Sequence, residues 1–163
     1  MEDLLPALDQ ASRGRSFEKG KTAFNDAQCV ACHRFGNEGG AVGPDLTALS
    51  SRFTRRDILE SILDPTKVLS EQYQNTTLLL PNGDDVTGRI VEENNNKIVV
   101  VIDPLKQTQR EVKKSEIKER HASKVSPMPE GLVNILSKEE ILDLLAYLES
   151  GGKMTAAAFT AGK

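Results

Sequence analysis

The stretch Cys29-Val30-Ala31-Cys32-His33 constrains this chain more than any other, because few chemistries call for two thiols and an imidazole at that spacing. The pattern matches covalent attachment of a c-type haem. There, two sulfurs add across the two vinyl groups of a porphyrin, and the two intervening residues let one turn of chain span the gap. His33 then falls beneath the iron, where its imidazole would be the proximal ligand, and the sixth position must come from elsewhere. On the pentapeptide alone two other readings stay open. A Cys-x-x-Cys pair also serves as a thioredoxin-type dithiol, although no strand precedes Cys29 to give the expected βαβ setting. It can also be half of a zinc site, for which His121 is the sole remaining Cys or His in the chain.

A chain of 163 residues, 38% hydrophobic, can bury one core and a second small module. Its net charge of −3 gives no bulk attraction to nucleic acid, and no nucleic-acid partner is expected. Both cysteines are used by the motif, so no pair is left for a disulfide. Thioether attachment of haem takes place outside the cytoplasm, which predicts a periplasmic or otherwise extracytoplasmic protein. No apolar run reaches the roughly 18 residues of a membrane span, and the N-terminus lacks a signal-like stretch. The export signal is therefore expected to lie outside this sequence, in a longer protein.

In chain order, residues 1–13 read as a polar lead-in with one weak apolar group, Leu4, Leu5 and Leu8. Ser16 is an N-cap, and Phe17, Gly20, Phe24 and Ala27 recur at helical spacing after it. Gly20 costs that helix about 1 kcal/mol against Ala, which suggests that another helix backbone passes close by. From Arg34 to Leu49 the glycines Gly36, Gly39, Gly40 and Gly43, followed by Pro44, predict a loop able to lie against a flat ring. The Pro44 carbonyl is left free to accept the other ring N–H of His33. Thr54 and Asp57 cap a second helix whose buried face is Ile58, Leu59, Ile62 and Leu63, and Asp64-Pro65 stops it.

Between Tyr73 and His121 the pattern becomes β, with about five strands: 76–80, 86–92, 97–103, 108–112 and 117–120. Basic and acidic residues are interleaved there, as on a solvated surface. Helical pattern returns at Ser137 and Glu140, a capping box, with Ile141, Leu142, Leu144, Leu145 and Leu148 as one apolar face and Gly151-Gly152 closing it. Just upstream, Met128 stands between Pro127 and Pro129, on a stiffened loop suited to aiming one side chain. Met128 is the candidate sixth ligand, with His121 as its rival and Met154, in the C-terminal tail, the weaker alternative.

The order of helix, CxxCH, loop with Gly43-Pro44-Asp45-Leu46, helix, Pro-flanked Met and C-terminal helix with Leu144-Leu145-Ala146-Tyr147-Leu148 resembles a class I cytochrome c. More narrowly it resembles the haem-binding domain family of planctomycetes and verrucomicrobia, often found at the C-terminal end of larger secreted or membrane-associated dehydrogenase-like proteins. The resemblance covers roughly Phe17 to Ser150. It implies one haem c anchored on Cys29 and Cys32, His33 and Met128 as axial ligands, Pro44 as proximal support, and crossing of the first and last helices with Gly20 near Tyr147. Met128 lies 95 residues after His33, long for a small cytochrome, and removing 73–122 as an insertion of 50 residues leaves 45.

The expectation is thus a mostly α class I cytochrome c fold, 14–72 and 123–151, carrying a small inserted antiparallel β module, 73–122, so α+β overall, with tails at 1–13 and 152–163. The expected function is electron transfer, not enzymatic turnover, to a redox partner protein or a fused dehydrogenase domain. A haem enzyme or a gas or peroxide sensor is the alternative if the sixth ligand is labile. A partner-binding module built on the β insertion is the other.

Overall fold

The computed structural model describes residues 4–160. The chain divides between Pro65 and Thr66 and again between Pro129 and Glu130, so that one unit is discontinuous in sequence and the other is Thr66–Pro129.

In the discontinuous unit, local capping sets the helix starts. Ser16 Oγ accepts the Lys19 N–H to begin α1 (Phe17–Asp26). One turn, α2 (Cys29–Cys32), follows, then a two-residue hairpin of β1 (Arg34–Phe35) and β2 (Glu38–Gly39). Capping boxes at Thr54/Asp57 and Ser137/Glu140 start α3 (Arg55–Leu63) and α4 (Lys138–Glu149). Every residue of α4 from Ile141 to Leu148 is buried, Asp143 included, so it is the central helix of this unit and not a one-faced one.

Helices α1 and α4 cross at Gly20, where an added Cβ would lie 2.6 Å from Tyr147 Cβ and against the Asp143 carbonyl oxygen. Around the crossing Tyr147 meets the rings of Phe17, Phe24 and Phe35, and Phe24 also meets Phe35, with Phe35 and Tyr147 centroids 4.8 Å apart. Such pairs add to the apolar area they bury.

Neither end of the described chain is a tail, and the expected boundaries 1–13 and 152–163 are corrected here. A 3-10 helix, Leu5–Ser12, buries Ala7 and Ala11, and Leu4 beside it is buried too, against α4 and α3. Arg55 on α3 secures it, donating to Leu8 O and Ser12 Oγ, each at 2.8 Å, while its Nε holds Glu149 of α4 at 2.8 Å. At the other end α5 (Ala157–Thr160) sets the Phe159 ring edge-on to Phe17 at 5.4 Å, and Ala158 O accepts the Arg15 N–H. Residues 1–3 and 161–163 of the expected tails lie outside the described residues.

The second unit is a five-stranded antiparallel sheet: β3 (Thr76–Leu79), β4 (Asp85–Glu93), β5 (Lys97–Asp103), β6 (Thr108–Lys113) and β7 (Glu119–Ala122) in the order β6-β5-β4-β3-β7. Strands β3 to β6 are a meander, and β7 returns to pair with β3, placing His121 opposite Thr77. One face buries Leu78, Val86, Ile98, Val100 and Val112. The last strand lies two residues later than its apolar pattern predicts, because Lys114–Glu116 form a 3-10 turn first.

This unit is wider than the 73–122 of the sequence reading, since Gln74 Nε2 bonds Ser123 O at 2.7 Å and Ser126 N bonds Thr66 Oγ1 at 3.4 Å beyond the strand ends. With a five-stranded antiparallel sheet beside its helices the protein is mixed α and β, in line with the α+β organisation expected overall; the helical share is smaller than a mostly α fold would have. Leu78 is fully buried, so Leu78→Ala should cost the sheet about 2–5 kcal/mol. Hydrogen exchange of the β3 and β4 amides is the measurement; unchanged protection there would contradict this core assignment.

Candidate haem-attachment site

Cys29 and Cys32 occupy the two ends of α2, whose geometry is that of a single helical turn. The turn is closed by His33 N–H donating to Cys29 O at 2.9 Å. It begins at Gln28, which holds φ +57°, a left-handed backbone that sets α2 off from α1. Cys29 faces inward and Cys32 is half-buried.

The glycine-rich loop folds back onto this turn. Gly40 N–H donates to Val30 O at 2.9 Å, Gly43 N–H to Cys32 O at 2.7 Å and Leu46 N–H to Arg34 O at 2.9 Å. The His33 ring therefore lies against Gly43, where a Cβ would sit 2.7 Å from Cε1; a larger residue would displace the imidazole. His33 Nδ1–H donates to the Pro44 carbonyl at 2.8 Å, as the sequence anticipated. With the proton on Nδ1, the lone pair is on Nε2, the tautomer a metal-binding imidazole needs.

Electrostatics agree with that role. Burial lowers the His33 pKa, with the Pro44 bond acting in the opposite sense, and so favours the neutral ring. Burial pushes the Cys29 thiol up to about 11 and raises Cys32 as well. A dithiol redox pair requires an accessible thiol of lowered pKa, so these two thiols are poorly suited to that chemistry. The zinc reading also lacks donors: among the described residues no group of three or more His, Cys, Asp or Glu side chains could hold a metal ion.

A family model for cytochrome c matches residues 17–100, just over half of the chain, from α1 into β5. The chain belongs to the cytochrome c family. No curated protein matches it. Cytochromes c carry covalently attached haem c and are generally electron carriers, typically outside the cytoplasm. The residues of this cytochrome c fit such a group: two thiols one turn apart, and an adjacent imidazole whose Nδ1–H is committed to Pro44 O, which leaves the lone pair on Nε2. Among the described residues no helix is long and apolar enough to cross a membrane.

The structure brings four of the sequence-predicted residues together: Cys29, Cys32, His33 and Pro44. Met128 belongs to the Thr66–Pro129 unit; it is half-buried, and its N–H donates to Ser126 Oγ at 3.1 Å. His121 is exposed on β7, and Met154 is 60% exposed. Sequence reasoning missed Phe35, whose signal was available as the one apolar side chain in the polar run after His33. It also missed the bracing of the loop behind Pro44 by Asp45 and Thr47, although Asp45 stands in the Gly43-Pro44-Asp45-Leu46 run.

Proposed function

We propose that this cytochrome c is a one-electron carrier holding a single haem c through Cys29 and Cys32, with His33 and Met128 as the axial ligands. The observation that carries the reading is the Cys29–Cys32 turn with the His33 Nδ1–H committed to Pro44 O. Bound there, a haem c supplies a ferric–ferrous couple. The chain's own part would be to anchor it by the sulfurs of Cys29 and Cys32 and to supply the His33 Nε2 and the Met128 thioether as ligands to the iron.

Support for Met128 comes from its loop. Pro127 and Pro129 restrict the backbone on both sides, and the Ser126 bond closes a tight turn before it. A thioether is a neutral ligand that raises the potential, as a carrier needs. In this reading the fold is a class I cytochrome c with a β insertion, of the planctomycete and verrucomicrobial kind. Its setting is a larger extracytoplasmic system, in which it serves a redox partner or a fused dehydrogenase domain.

Met128→Ala is the test. The variant keeps its haem, loses the weak sulfur-to-iron charge-transfer absorption of the oxidised protein, and opens the iron to carbon monoxide or cyanide. Its potential falls by at least about 59 mV, a tenfold change in the one-electron equilibrium. If the wild type lacks that absorption and His121→Ala opens the iron instead, the ligand is His121. If the wild type itself binds carbon monoxide readily at neutral pH, the carrier reading gives way to an enzyme or sensor.

A further inference from the structure

Proline fixes its own φ, so the direction of the Pro44 carbonyl depends on ψ of Pro44, and hence on where the next peptide is held. Asp45 and Thr47 hold it. Asp45 Oδ1 accepts the Thr47 N–H at 2.8 Å, closing a turn directly after the Pro44 carbonyl. Thr47 Oγ1 accepts the Gly36 N–H at 2.8 Å, and Leu46 N–H donates to Arg34 O at 2.9 Å. Together with the His33–Pro44 bond, the Leu46–Arg34 bond closes a ring of chain, with His33 and Arg34 on one side and Pro44, Asp45 and Leu46 on the other. Asp45 and Thr47 brace that ring from outside, and the bonds from Thr47 hold the Asp45 carboxyl below the usual carboxylate range.

We propose that Asp45 and Thr47 are positioning residues that aim the Pro44 carbonyl at His33 Nδ1–H and thereby tune the reduction potential of the bound haem. This rests on the reading of His33 as the iron ligand. A well-aimed acceptor on Nδ1–H makes Nε2 more basic and favours ferric iron. A loosened carbonyl shifts the balance toward the ferrous form.

The experiment uses the haem-loaded protein and compares Thr47→Val, Thr47→Ser, Asp45→Ala and Asp45→Asn. Thr47→Val removes the acceptor for Gly36 N–H without changing charge, and Asp45→Asn keeps an acceptor for Thr47 N–H while removing charge. In Thr47→Val and Asp45→Ala the His33 Nδ1–H of the ferrous protein, followed by NMR, exchanges with solvent about tenfold faster. The one-electron equilibrium moves about threefold toward the reduced form. Thr47→Ser restores both readouts, and Asp45→Asn restores the exchange rate. Wild-type exchange and potential in both Thr47→Val and Asp45→Ala overturn the proposal while leaving the ligand reading intact. If the wild-type His33 ring protons lack the large ring-current shift of a haem ligand, the ligand reading itself fails and the proposal with it.

Discussion

With Cys29 and Cys32 both replaced by Ala, the purified protein carries no covalent haem, and its denatured chain has the mass of polypeptide alone. Each thioether needs its own sulfur, and the chain holds no third cysteine to substitute. Each single variant retains one attachment. Non-covalent binding through His33 can persist in the native double variant, so the readout is taken after denaturation. Pigment that still travels with the denatured double variant would refute the attachment site. Stability should fall as well, because a group that binds only the folded state adds its binding free energy to folding.

Gly20→Ala should destabilise the discontinuous unit by about 1–3 kcal/mol, against a total of roughly 5–15 kcal/mol for a typical protein. Two effects oppose each other here. Alanine is the better helix former by about 1 kcal/mol, which favours the variant. The new methyl, however, would meet the Asp143 carbonyl oxygen and lie 2.6 Å from Tyr147 Cβ. Both atoms are rigidly tied to the α4 backbone, so no side-chain rotation relieves the contact, and the two helices must separate. Separation also opens the ring cluster of Phe17, Phe24, Phe35 and Tyr147. The steric term wins. Thr22→Ala, at an exposed position of the same helix, is the control and should be neutral or slightly stabilising. Denaturant unfolding of both variants decides the matter; a Gly20→Ala protein as stable as the control would mean that the crossing is looser than these contacts indicate.

The candidate site was legible where its chemistry is local. Cys29, Cys32 and His33 announce themselves by spacing, and the Pro44 acceptor follows from a proline carbonyl at the end of a glycine-rich loop. The bracing by Asp45 and Thr47 was only half legible: the turn that Asp45 closes onto Thr47 N–H is local, but Thr47 is bound to Gly36, 11 residues upstream. Met128 stands out by its flanking prolines, which is a statement about its own backbone.

For the fold, the same division holds. The caps at Ser16, Thr54 and Ser137 bond residues three positions away, so sequence alone determined where α1, α3 and α4 begin. Alternation of apolar and polar residues likewise located the strands of the β meander to within a residue or two. Tertiary structure decided the rest. Ala7 and Ala11 carry almost no hydrophobic signal, yet they are among the most deeply buried residues, because small side chains let the first 3-10 helix lie close on α4. Asp143 reads as the polar side of a one-faced helix, but it is buried where its carboxylate accepts the Ser16 N–H at 3.0 Å. The pairing of β7 with β3 joins strands about 40 residues apart, and the same short apolar runs could pair otherwise. A cap or an alternating pattern is satisfied by neighbours in the chain, whereas burial and strand partnership depend on which distant surface arrives, and that is set by the packing of the whole unit.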